Sequence, residues 1–239
     1  MLHRDLTSGG RKSLVILASI SIFVQVIVLV FLRGPGDSGV PIYMDWLPLS
    51  LHNLMEGRIW TVVTYSFIHD VQAPTHLLFN LIALYFLAPP LQERWGLRGF
   101  AHVWLVAVIC GALFTVVSEV AGMTPAVTVG MSAGVMGLLA AWTWIYPDAT
   151  LLLMFVFPVR ARWVLPIALG LDGLLFVYGS DLALMAHVGG VAGAWLALRG
   201  WTRPTLVKTR LAQYQQRKRR QAAKRRFRVV EGGQSDEIN

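Results

Sequence analysis

Six apolar stretches alternate with short polar ones along this chain, at residues 13–32, 75–91, 100–120, 132–146, 164–178 and 182–198. The first runs for about 20 residues with no charge inside it, beyond the roughly 7–15 of a secretory signal core and enough to cross a hydrocarbon layer of about 30 Å. It is expected to be a retained transmembrane helix. Each of the others can cross that layer or nearly so. The pattern predicts an all-α polytopic membrane protein of six transmembrane helices, with both termini on one side.

The basic residues say which side. Of 21 Lys and Arg, all but Arg33 and Arg58 lie in the amino-terminal segment, in the 91–99 and 147–163 loops, or after Leu198. Short cytoplasmic loops carry the basic excess, so both termini are expected in the cytoplasm. The chain then divides into a cytoplasmic segment at 1–12, a six-helix membrane domain at 13–200 and a basic cytoplasmic tail at 201–239.

Hydrophobic residues make up 55% of the chain and charged ones 14%, with a mean hydropathy of +0.57. No single soluble core could bury that much apolar surface, so lipid must solvate part of it. The formal charge of +8 comes largely from the tail, with basic runs at 217–220 and 224–226. A cluster just cytoplasmic of a last helix attracts anionic headgroups, so membrane lipid, not nucleic acid, is its expected partner. Residues 205–229 are compatible with a helix, and the last ten are expected to be disordered. Cys110 is the only cysteine. That excludes a disulfide framework and a thiolate metal cluster, and with no phosphate-binding glycine loop or His-Glu-x-x-His spacing, no metal or cofactor is expected.

Residues 33–74 form the one long connection. They hold Pro35, Pro41, Pro48 and Pro74 together with Tyr43, Trp46, Trp60, Tyr65 and Phe67. This mixture suits a structured first loop lying in the outer interface, where Trp and Tyr prefer to sit.

Polar residues inside apolar spans are costly and so mark function by default. His76 and Asn80, spaced i, i+4, project from one face of the second span, with Asn80 roughly 9 Å below its outer end. The fourth span covers only some 22 Å, so Ser132 starts roughly 8 Å inside the membrane, and residues 122–131 must dip inward to reach it. His187, six residues past Asp181, lies roughly 9 Å down the sixth span. Three helices thus bring Asn80, Ser132 and His187 to one depth. Gly130, Gly134 and Gly137 on the fourth span, and Ala186, Gly190 and Ala194 on the sixth, offer small-residue faces for close approach. Asp172 in the fifth span is placed nearer the midplane, as an interhelical hydrogen bond rather than a partner of His187. Taken singly, Ser132 reads as a helix cap, Asn80 as interhelical glue and His187 as a satisfied buried histidine.

Three motifs in order change that weighing. Gly130-Met131-Ser132 followed by Gly137 resembles the GxSGxxxG segment of the rhomboid family, Ala186-His187-Val188-Gly189-Gly190 its AHxxG segment, and His76 to Asn80 its HxxxN motif. Glu93, Gly96 and Phe100 resemble the turn after its second span, and 60–69 the end of its first loop. The chain is identified on these motifs, over about residues 13–200, as similar to rhomboid intramembrane serine proteases.

The resemblance implies a rhomboid-like bundle and a serine endopeptidase that cuts transmembrane protein substrates with a Ser132–His187 dyad. The oxyanion would be met by the Ser132 N–H, Asn80 and His76. It also implies a plasma membrane, of bacterial type given the compact plan and the lack of a transit peptide. Ala133 stands where the family commonly has glycine, placing a methyl group close to where substrate and oxyanion would fit; Met136 replaces an aromatic and Thr61 an arginine. Two other readings use the same residues: an inactive rhomboid-like pseudoprotease that binds transmembrane segments, and a transporter with His76, His187 and Asp172 as a proton relay.

Overall fold

A computed structural model describes residues 12–31, 42–70, 74–123, 127–153, 156–178 and 184–202. The compatible helix at 205–229, the terminal residues and nearly all of 1–12 lie outside them. Every element below belongs to one unit that ends at Arg199.

The apolar runs become helices, even across Pro89, Pro90 and Pro166: α1 (Lys12–Phe31), α5 (Pro74–Val120), α6 (Ser132–Ile145), α7 (Ala161–Val177) and α8 (Leu184–Leu198). Between α1 and α5 lie α2 (Ile42–Trp46), α3 (Leu51–Met55) and α4 (Thr61–Thr64), the last continuing as a 3₁₀ turn over Tyr65–Phe67. Among the described residues, the helical stretch Pro74–Val120 is long and apolar enough to cross a membrane by length and composition, and 12–28, 132–145 and 184–198 are shorter apolar helices.

α5 is two helices joined at Gly96, whose φ of 68° and ψ of 172° leave the helical region. Side chains without a β-carbon tolerate that conformation, so the glycine sits where the chain must turn. The reversal is visible in the partners of residues 42–70. Tyr65 donates to the Val108 carbonyl at 2.8 Å, and the Leu51 N–H reaches Glu119 at 2.8 Å, both on the second limb. His69 meets Asn80, near the start of the first limb. Helix α1 runs against that first limb: the Ser13 N–H bonds Gln92 at one end, and Gln25 brackets the His69 peptide at the other, its amide donating to the carbonyl and its Oε1 accepting from the N–H, both at 3.2 Å.

Two ends of the fold follow. One gathers residues 42–70, the start of α5 and the start of α6. The other holds the Gly96 turn and a cavity of about 500 Å³ lined by Arg94, Trp95, Trp144, Trp195 and Arg199, far along the helices from Ser132. Much of the outward surface is apolar, including Ile20 and Phe23 on α1 and Leu171, Leu174 and Val177 on α7. An apolar surface of that extent marks a membrane or a protein partner.

The described part of the first loop is built, as expected. Ser50 caps α3 by accepting from the Asn53 N–H. The Arg58 guanidinium donates to the Asp45 carbonyl and to Asn53 while lying over the Trp46 ring, and Trp60 stacks on Trp46 and donates to its carbonyl.

The connection from α6 to α7 departs from an all-helical plan. It forms an antiparallel hairpin, β1 (Thr150–Leu153) with β2 (Phe157–Arg160), pairing Thr150 with Arg160. Arg162 and Asp148 pair at its base.

Candidate active site

The core of the unit is a three-way crossing of α6, α8 and the second limb of α5, made of residues too small to hold the backbones apart. A β-carbon at Gly190 would stand 2.1 Å from the Ala133 carbonyl oxygen, and one at Gly137 would stand 2.8 Å from the Gly190 carbonyl oxygen. On the third side, β-carbons at Gly189 and Gly193 would lie within 2.8 Å of backbone atoms of Val106, Ala107, Cys110 and Gly111. This is the close approach that Gly137 and Gly190 promised. The other two glycines of the fourth span serve elsewhere. Gly134 faces the Trp104 indole, and Gly130 lies before the helix begins, with φ of +115° and the His76 ring where a β-carbon would be, 2.6 Å away.

Ser132 is the first residue of α6, half-buried, and the residue that caps the helix is Met131, with no side-chain cap bond. Its hydroxyl is therefore not spent on capping. The N–H groups of a first turn have no carbonyl of their own helix to bond, and they concentrate the positive end of the helix dipole at Ser132. Gly190 presses on Ala133, so His187, three residues before Gly190 on α8, is carried to the same crossing as Ser132. His187 is 8% exposed.

Asn80 is buried, with its Nδ2 3.4 Å from Nε2 of His69. The same His69 nitrogen accepts from the Met131 N–H at 3.4 Å. An amide carries two donors, so with one turned to His69, Asn80 keeps a second. His69, to which the sequence analysis gave no role, thus joins Asn80 to the Met131 N–H. It is fully buried, edge-on to His76 with ring centroids 5.4 Å apart, and it ties the first loop both to Asn80 and to the peptide that precedes Ser132. Burial, followed by the neighbouring His76, lowers its pKa from 6.5 to about 4, so it stays neutral at physiological pH.

Two expectations need correction. Ala133 does not crowd the site: it is fully buried, and its methyl faces Gly111 of α5, where a β-carbon would stand 2.7 Å from it. The extra carbon is matched by a glycine across the helix interface. Asp172 does make an interhelical bond, but its partner is His187: Oδ2 lies 2.6 Å from Nδ1, with both side chains mostly buried. The expected separation in depth is not there.

No group of three or more His, Cys, Asp or Glu able to hold a metal ion occurs among the described residues. What the arrangement offers is a hydroxyl at a helix N-terminus, an imidazole across a tight helix crossing and polar donors from α5.

Residues 56–203 match the family model of the rhomboid domain. The chain is 28% identical over 176 residues to the RHOMBOID-like protein 12, mitochondrial, of Arabidopsis thaliana, covering 67% of this chain and 51% of that protein. It is 25% identical over 172 residues to the putative rhomboid protease YdcA of Bacillus subtilis, with 72% and 81% covered. Against the rhomboid protease GlpG of Yersinia enterocolitica it is 26% identical over 164 residues, with 69% and 55% covered. The chain thus spans about half the length of the plant and Yersinia relatives.

Proposed function

This chain belongs to the rhomboid family, and from that premise we propose that it is an intramembrane serine endopeptidase acting through Ser132 and His187. The observation that carries the reading is the Ala133–Gly190 crossing, which sets an uncommitted serine at a helix N-terminus beside the helix that bears His187. A pseudoprotease would need neither.

In the reaction, Ser132 Oγ attacks the scissile carbonyl carbon while its proton passes to Nε2 of His187. The oxyanion is met by the Ser132 N–H and by Asn80 and His76, donors fixed in advance, the kind of stabilisation that usually contributes most. The imidazolium then gives its proton to the leaving amine. A water, deprotonated by His187, releases the acyl group and restores the serine.

The substrates are membrane proteins with one transmembrane helix that is locally unstable near the outer boundary, cut at a small residue. Six crossings with cytoplasmic termini would hold Ser132 below the outer interface. The named relatives include bacterial and mitochondrial proteins; this chain is assigned to a plasma membrane of bacterial type, with the basic excess setting both termini on its cytoplasmic side.

The test is cleavage of a single-span reporter by the purified full chain in detergent, with Ser132→Ala and His187→Ala alongside. Loss of cleavage in both variants supports the dyad; a wild type inactive on several reporters would move the reading to a binding protein.

A further inference from the structure

We propose that Asp172 is a positioning residue for His187, so that the working unit is a serine, a histidine and an aspartate drawn from α6, α8 and α7. This rests on the dyad reading above and goes beyond it. The observation is the contact between Asp172 Oδ2 and His187 Nδ1 at 2.6 Å, with the two side chains 15% and 10% exposed. A carboxylate so placed in an apolar helix is costly unless it is partnered, and its partner is the one nitrogen of His187 that the proton transfer does not use.

The chemical consequence is specific. An ionised carboxylate only accepts, so Nδ1 must carry the proton. Nε2 is then left with its lone pair, free to take the Ser132 hydroxyl proton. When Nε2 is protonated, the imidazolium gains a negative neighbour. Among the described residues, no other carboxylate is bonded to His187. His76 of α5 lies within electrostatic reach of His187 and can only be neutral or cationic, and the Cys110 thiol of the second α5 limb packs against Gly193, not against the imidazole. Helix α6 carries no ionisable side chain at all.

The position also accounts for how α7 is held. Its buried residues are Ala161, Val164 and Leu165, all near its start, and β-carbons at Gly170 and Gly173 would meet nothing within 4 Å. At the level of Asp172 the helix is loosely packed, and the bond to His187 ties it to the crossing.

Ser132→Ala and His187→Ala are assayed first; if either cleaves like wild type, the dyad has failed. With the dyad standing, Asp172→Asn is expected to lower kcat by about 10²-fold or more, a smaller version of the roughly 10⁴ seen when the aspartate of a soluble triad is changed to asparagine. KM is expected to stay within about twofold by the same reasoning. Asp172→Glu is expected to restore part of the lost kcat. A bond that served structure alone would lower thermal stability and leave the kcat of the folded protein unaltered, and that result overturns the inference. A second reading needs no Asp172 variant: in ¹⁵N-histidine-labelled Ser132→Ala protein, His187 is expected to carry its proton on Nδ1, and finding it on Nε2 overturns the inference equally.

Discussion

Gly190→Ala adds one carbon where there is no room for it. Its β-carbon would stand 2.1 Å from the Ala133 carbonyl oxygen, 2.9 Å from the carbonyl carbon and 3.2 Å from Cα, all of them backbone atoms that no rotamer change can move. Relief therefore requires α6 and α8 to separate by about 1 Å, the shortfall from an ordinary van der Waals contact. Overpacking of this kind costs about 1–3 kcal/mol, offset by at most about 1 kcal/mol from replacing glycine in a helix. The larger effect falls on catalysis. The same separation moves Ser132 away from the helix that carries His187, and a misplacement of about 1 Å costs on the order of 10²-fold in rate. The assay is reporter cleavage in liposomes beside thermal unfolding in detergent, with Gly173→Ala on α7 as control, since a β-carbon there meets nothing within 4 Å. The control should cleave normally. A Gly190→Ala protein that also cleaves normally would refute the claim that this crossing sets the dyad geometry.

Other outcomes follow from the same contacts. Ala133→Gly should not raise cleavage, because the methyl it removes faces Gly111 and not the site; it should lower stability by about 1 kcal/mol, read by thermal unfolding. His69→Ala, which frees Asn80 and the Met131 peptide, should reduce kcat more than KM, and an unchanged kcat would remove His69 from the account. His69 also gives stability a pH dependence. The unfolded chain takes up a proton below about pH 6.5 and the folded one only below about 4, so stability falls as pH drops between those values, by about 3 kcal/mol in all. Unfolding scans from pH 7 to 4 should show that slope in wild type and not in His69→Gln. Substitutions that stiffen a substrate helix near its outer end should slow cleavage; equal rates would argue against unwinding before the cut.

What the sequence made legible was whatever is periodic or local. The apolar runs gave the helices to within a few residues, and the turn at Gly96 was legible only through the resemblance of Glu93, Gly96 and Phe100 to the family's turn, the φ of 68° supplying its physical reason. The 147–163 segment gave no such signal, since its strands of four residues each show no alternation long enough to separate from a loop. Rise per residue fixes depth but not the rotation of a helix about its axis. For that reason Asn80, Ser132 and His187 could be set at one level, while the facing of Ala133 to Gly111 and of Asp172 to His187 could not be read. Gly130 was grouped with Gly134 and Gly137 by helical spacing, yet it precedes the helix, where that spacing has no meaning. Gln25 went unnoticed because its partner is a peptide group, which every residue has, and His69, seen only as the end of the first loop, because its meeting with Asn80 and the Met131 N–H depends on how that loop folds back.

The central claim is that Ser132 is a nucleophile activated by His187, and covalent trapping tests it most directly. The full chain in detergent is treated with a fluorophosphonate and digested, and the adduct is located by mass spectrometry. A single adduct on Ser132, lost in His187→Ala while that protein remains folded, is the expected result. Labelling that is absent from Ser132, or undiminished without His187, would contradict it.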